Sequence, residues 1–176
     1  MNLHRTVHLF GEINNESIAR LTKEIIQFHN DGSEAPIDLL IASGGGGSIP
    51  GFAFYDFIRA TQIPLRTFTS GDLSSMAVPV FLAGGSRYVG QNTSTTLHEA
   101  KANFGNNFLT ATQIQTAYRE ITLRMKNYKR VLVERTKIKS DDLPMMLLQE
   151  TVLDSEQLIE FGIAHELWVP AEPASA

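Results

Sequence analysis

The stretch Pro36-Ile37-Asp38-Leu39-Leu40-Ile41-Ala42-Ser43-Gly44-Gly45-Gly46-Gly47 decides the fold. Pro36 to Ala42 is a nearly all-apolar run of strand length, Gly44 to Gly47 is a turn, and helical spacing resumes from Ile49 to Ala60. A strand that alternates apolar and polar residues keeps one face in water, whereas one that is apolar throughout is covered on both faces. Such a strand followed at once by a helix points to a parallel sheet, whose neighbouring strands can be joined only by long crossovers, usually helical.

The same alternation extends in both directions. Towards the N-terminus, Thr6 to Phe10 alternates and predicts a strand, and Asn15 to His29 places Ile18, Leu21, Ile25 and Ile26 at helical spacing before Asn30-Asp31-Gly32 closes it. Towards the C-terminus, Leu65 to Thr69 predicts a strand, Ser75 to Ala83 a short helix, and Arg87 to Val89 and Thr93 to His98 two more strands. A loop at Lys101 to Asn107 precedes one long amphipathic helix, Ala111 to Thr136, with Ile114, Ala117, Ile121, Met125, Tyr128 and Leu132 on one face. Ser140 to Gln149 opens with a serine cap and two aspartates, Asp154 to Phe161 is a short helix stopped by Gly162, and Ile163 to Val169 is a last strand. Residues 171–176 have the composition of a frayed tail.

Composition narrows the function classes. A chain of 176 residues is of one-domain length, large enough to bury a real core. Its net charge of -4 leaves no broad cationic face to neutralise phosphates, so nucleic acid is not expected as a partner. The lack of cysteine excludes disulfides, thiolate metal sites and a cysteine nucleophile, and is compatible with a reducing compartment. Met1 to Thr6 contains no apolar stretch of signal-peptide length, and no window reaches the roughly 18 apolar residues of a membrane span. The expectation is a soluble cytoplasmic protein with no membrane partner.

Three features carry chemistry. Gly44 to Gly47 lacks the Gly-Lys-Ser/Thr of a phosphate loop, and Ile49 or Pro50 occupies the third glycine of a dinucleotide fingerprint. A tight strand-to-helix turn needs only one or two glycines. Backbone N–H groups that stabilise an oxyanion or pair with an extended peptide are a further use for residues without a Cβ. Ser75, in Gly71-Asp72-Leu73-Ser74-Ser75-Met76-Ala77, sits at a strand-to-helix junction, where it is either an N-cap or a nucleophile. His98, on the next apolar segment, is either a strand histidine satisfied by backbone or the base such a nucleophile needs.

A wider pattern bears on that choice. Ile41-Ala42-Ser43-Gly44-Gly45-Gly46-Gly47 with Gly51-Phe52-Ala53-Phe54-Tyr55-Asp56 resembles the Asn-Ser-Pro-Gly-Gly turn and Gly-x-Ala-x-Tyr-Asp of the ClpP family of serine peptidases. Ser74-Ser75-Met76-Ala77 after Gly71 resembles that family's nucleophile motif, with Leu82-Ala83-Gly84-Gly85 continuing it. Thr95-Thr96-Leu97-His98 resembles its Met-Ile-His strand, and Val152-Leu153 through Gly162-Ile163-Ala164 its Phe-Leu-Ser to Tyr-Gly-Leu-Val segment. The similarity runs from about Val7 to Leu167, in the family's order and at similar spacings.

The resemblance implies an α/β fold, a ββα superhelix of the ClpP and crotonase type, over residues 1–170 with a protruding long helix. It implies a serine endopeptidase acting on unfolded proteins or short peptides through an acyl-enzyme, with neither metal nor organic cofactor. By position, Ser75 is the nucleophile and His98 the general base, Gly46 and Met76 supply the oxyanion hole, and Gly45 and Gly47 bind substrate backbone. The family's aspartate falls at Glu150, with Asp154, Asp141 and Asp142 as substitutes. Gly44 stands where the family has proline, and Pro79 falls inside the helix that follows Ser75, where it disturbs the turn unless the helix starts late. The implied partner is the chain itself, in a ring or stacked rings. An AAA+ ATPase unfoldase is the family's other partner, but the chain begins almost at the first family strand, which argues against that coupling. The alternatives are a crotonase-type acyl-CoA hydratase or hydrolase, which would not need Ser75 or His98, and a catalytically silent ring subunit.

Overall fold

The computed structural model of the protein describes residues 1–105 and 108–169; the tail at 171–176 and Asn106 and Asn107 of the expected loop lie outside them. After a short 3-10 turn at Leu3–Arg5, the elements are β1 Thr6–Phe10, α1 Asn15–His29, β2 Ile37–Ser43, α2 Ser48–Thr61, β3 Leu65–Leu73, α3 Ala77–Leu82, β4 Ser86–Gly90 and β5 Thr95–Leu97. They continue with α4 Ala111–Arg135, α5 Leu143–Leu148, β6 Thr151–Leu153, α6 Ser155–Glu160 and β7 Glu166–Trp168. A five-stranded sheet has the order β1-β2-β3-β4-β7, parallel at every pairing, and β5 and β6 form a separate antiparallel ribbon. This is the mixed α/β architecture expected.

Strand order follows chain order from β1 to β4, and parallel crossovers are right-handed almost without exception, so α1, α2 and α3 fall on one face of the sheet. That face is the core. Leu9, Leu39 and Ile41 from the strands meet Leu21 and Ile25 of α1, Phe54 and Ile58 of α2, and Val80 and Phe81 of α3, all essentially without solvent exposure. On the opposite face Leu40 and Ala42 are only half-buried. Phe68 and Tyr88 stack there with ring centroids 4.7 Å apart, and Trp168 meets Phe68 edge-on at 5.6 Å.

Local chemistry explains most boundaries. Asn14 accepts from the Ser17 N–H, and the Ser17 side chain accepts from the Asn14 N–H, a capping box that starts α1 where the spacing predicts. Thr110 with Gln113 and Asp154 with Gln157 do the same for α4 and α6. Three expectations are corrected. α3 begins at Ala77 instead of Ser75, which puts Pro79 in its first turn, where a helix needs no N–H from it. Thr151–Leu153, not anticipated as a strand, is β6, and the last strand is shorter than predicted, Glu166–Trp168.

The long helix is buried only at its C-terminal end, through Tyr128, Val131 and Leu132. Ala117, Ile121 and Met125 are half-buried, while Ile114 keeps 53% and Tyr118 70% of its surface exposed. The N-terminal half of α4 therefore stands off the core.

Arg87 of β4 ties the far edge together. Its buried guanidinium donates to the carbonyls of Ile163 at 2.7 Å, Gly162 at 3.0 Å and Arg135 at 3.1 Å, and reaches that of Gly84 at 3.5 Å. No carboxylate among the described residues pairs with it, and burial and then the charges of Arg135 and Arg59 lower its pKa to about 10. Arg87→Met strands those carbonyls, and we expect a loss of about 3 kcal/mol or more in denaturant unfolding. Arg20→Met, on the exposed pair with Glu24, is the comparison and changes it by about 0.5 kcal/mol or less.

Candidate active site

Ser43 ends β2 and Leu73 ends β3, and the two pair directly, so the glycine turn and the serine turn leave the sheet side by side. The Ser74 N–H donates to the Ser43 carbonyl at 3.0 Å. Contact is closest at Gly45, where a Cβ would lie 2.6 Å from Cβ of Ser75 and 2.9 Å from the Met76 nitrogen. At Gly46, φ is +142° and a Cβ would lie 2.4 Å from the Ile13 carbonyl oxygen. Two of the four glycines are thus required by space alone, which a simple turn does not demand.

Ser75 itself has φ +54°, left-handed backbone that a residue with a Cβ adopts at a cost. Among the described residues only Gln62, Ser75 and Glu150 do so without being glycine, and two of those three are site residues expected from the sequence. The strained turn is held at both ends. The Ser75 N–H donates to the Thr96 carbonyl at 3.0 Å, and its carbonyl accepts from the Val78 N–H at 3.1 Å and the Tyr128 hydroxyl at 3.3 Å. Burial pushes the Tyr128 phenol pKa upward, so the hydroxyl remains a donor. Ser74 is occupied otherwise: its hydroxyl donates to Asp72 Oδ1 at 2.5 Å and accepts from the Thr96 N–H at 3.0 Å. The free hydroxyl of the two is that of Ser75.

The N–H groups at 45 to 47 divide sharply. Gly45 donates to Ser43 Oγ at 3.1 Å and Gly47 to the Ile13 carbonyl at 2.7 Å, while their carbonyls accept from Ile13 and Gly51. Both residues expected to bind substrate backbone already have their donors and acceptors engaged. Neither the Gly46 nor the Met76 N–H donates to any backbone carbonyl among the described residues. These are the two assigned to the oxyanion hole.

His98 follows β5 directly. It lines, with Ser75, Gly46 and Met76, a cavity of about 560 Å³ whose far wall is Ile121 and Met125 of α4. No hydrogen bond joins Ser75 Oγ to His98 here; such bonds are often formed only once substrate is bound. The ribbon pairs Leu97 with Thr151, where its ladder ends, and His98 and Glu150 are the next residues on the two strands, so the missed strand β6 brings the acid near the histidine. Yet His98 Nδ1 lies 2.6 Å from the Glu99 carbonyl oxygen, and Glu150 Oε1 lies 2.9 Å from Lys101 Nζ. The hydrogen bond and the charge of Lys101 hold the Glu150 carboxyl below the usual carboxylate range, with His98 a smaller contributor. Asp154 caps α6, and Asp142 precedes α5 without a side-chain cap. Lys101 and Tyr128 were not anticipated as site residues; no sequence motif marks them. Among the described residues no group of three His, Asp or Glu side chains could hold a metal ion.

The sequence model of the Clp protease family matches residues 1–170, and the chain belongs to that family. Among solved structures, a point mutant of ClpP1 from Listeria monocytogenes is similar in fold, with a TM-score of 0.83 at 22% identity, over 93% of this chain and 91% of that one.

Gly45→Ala should remove reactivity of Ser75 towards a fluorophosphonate probe, because the new methyl must displace Ser75 or the Met76 N–H. Gly11→Ala meets nothing within 4 Å at φ +85° and serves as the comparison: it costs about 1–2 kcal/mol of stability and leaves labelling in place.

Proposed function

We propose that the protein is a serine endopeptidase that cleaves short or unfolded peptides through an acyl-enzyme on Ser75, inside a ring-shaped assembly of its own copies. One observation carries the reading: a serine on strained left-handed backbone, a histidine and two unengaged N–H groups line one cavity at the carboxyl ends of parallel strands. Ser75 Oγ attacks the scissile carbonyl carbon while His98 takes its proton. The oxygen that gains charge is met by the N–H groups of Gly46 and Met76, which need no reorganisation to receive it. Collapse breaks the C–N bond, and His98 returns the proton to the departing amine. Water then attacks the ester with His98 again as base, and the peptide acid leaves Ser75 free. Glu150, beside the last pair of the ribbon, is the acid that would orient the imidazole.

A second reading, a silent ring subunit, draws on the pairing of Glu150 with Lys101 and of His98 with Glu99. Probe chemistry separates the two. On the peptidase reading a fluorophosphonate adduct maps to Ser75, persists in Ser74→Ala and vanishes in Ser75→Ala. Ser75→Ala and His98→Ala each remove nearly all cleavage of fluorogenic peptides, and the double variant is little worse because the two act as a unit. No adduct and no cleavage would leave the silent subunit.

Self-assembly is supported by α4, whose N-terminal half exposes Ile114 and Tyr118 one turn apart. Apolar surface of this kind marks an interface. Sedimentation should give a particle of many copies, and Ile114→Asp with Tyr118→Asp should lower its mass. A monomer before substitution would overturn the ring.

A further inference from the structure

Lys101 lies three residues beyond His98, on the segment that leaves the ribbon, and lines the same cavity. Its ammonium engages Glu150, the carboxylate that adjoins the last ribbon pair and lies near the imidazole, and His98 Nδ1 is turned to a backbone carbonyl instead. Lys101 keeps 71% and Glu150 54% of its side-chain surface exposed, so the pair is not locked by burial and parts easily. Other charges stand around the imidazole, and three of them are engaged with neighbours. Glu120 and Arg124 of α4, across the cavity, pair with each other at 2.9 Å. Asp72, at the end of β3, accepts the Ser74 hydroxyl. Glu99 adjoins His98 in the chain, and Glu12 approaches Gly46 from the turn after β1.

We propose that Lys101 is a positioning residue that competes with His98 for the Glu150 carboxylate and so sets how strong a base His98 is. With Lys101 engaged, the carboxylate is neutralised by an ammonium and does little for a developing imidazolium. With Lys101 withdrawn, Nδ1–H turns from the Glu99 carbonyl to Glu150, and the charged imidazole is favoured. A carboxylate partner favours the protonated ring, so the His98 titration moves to higher pH, and the acid limb of the peptidase profile moves with it. The consequence for catalysis rests on the peptidase reading above; the titration does not.

The test follows the imidazole directly, by NMR of the full-length protein with 13C-labelled histidine, the His98 signal identified by its loss in His98→Gln. Lys101→Met should raise the His98 titration midpoint by about half a pH unit or more, the scale on which a nearby charge acts. Lys101→Arg, which keeps a cation at that place, should restore the parent midpoint. Adding Glu150→Gln to Lys101→Met should abolish the rise. In peptide cleavage, Lys101→Met should increase kcat by about threefold or more with KM nearly unchanged, and displace the acid limb upward by the same interval. An unchanged midpoint in Lys101→Met, or a rise that survives Glu150→Gln, would overturn the competition whether or not peptides are cleaved. A rise without any peptide cleavage would support the competition and count against the peptidase reading alone.

Discussion

The shift of register between β2 and β3 is the constraint on which the site depends. Ile41 pairs with Thr69 but Ser43 with Leu73, so two residues of β2 are matched by four of β3. Gly71, at φ +80°, takes the bend, and Asp72 makes a bridge to Ser94. A slip of two residues preserves the faces of a strand, and it moves everything that follows by about 6–7 Å. With an unbroken register Ser43 would pair with Gly71, and Ser75 would run about 6–7 Å past its present place relative to Gly45 and Gly46. The extra residues retard β3 against β2, so that the Ser74 N–H reaches the Ser43 carbonyl and the two turns pack Cβ against Cα.

A left-handed serine is the second consequence, and the turn is held by bonds that reach across the fold. In an ordinary helix the Ser75 carbonyl would receive the N–H four residues on, but that residue is Pro79, which has none. The Val78 N–H and the Tyr128 hydroxyl, the latter from the buried end of α4, donate there instead. Pro79 thus frees a carbonyl, and Tyr128 ties the serine turn to the long helix. The strain at φ +54°, of order 1–3 kcal/mol, is offset by this bond and by the bond from the Ser75 N–H to Thr96. Among the described residues the Met76 N–H is left without a backbone acceptor, at the place proposed for an oxyanion.

How far the chain could be read follows from which interactions are local. α1 was legible to the residue because Asn14 and Ser17 carry its start in their own side chains. The nearly all-apolar PIDLLIA run likewise marked β2, an interior strand of the sheet, because a strand within a parallel sheet shows little alternation of apolar and polar residues. Ser75 and His98 were legible as candidates by residue type and order. What was illegible is what depends on distant partners. β6 is three residues long and exists as a strand only because β5 lies beside it. Lys101 carries no signal of its own; its place beside Glu150 follows from the ribbon that β6 completes. The engaged backbone of Gly45 and Gly47 depends on Ile13, from the turn after β1, more than thirty residues earlier.

The site divides its groups by how firmly each must be placed. The proposed oxyanion donors Gly46 and Met76 and the proposed nucleophile Ser75 sit at the ends of parallel strands, against glycine turns with no room for a methyl group, where a shift of tenths of an ångström is resisted by backbone on both sides. His98 and Glu150 sit at the open end of a ribbon three pairs long, anchored by Leu97 and Leu153 in the core but half-exposed or exposed themselves. An oxyanion hole works only if its dipoles are fixed before charge develops. An imidazole that accepts a proton from one atom and returns it to another works only if it has latitude to turn. Rigid sheet ends supply the first property and the short ribbon the second, and the weak, solvent-exposed pairing of Glu150 with Lys101 lies on the side where latitude is available.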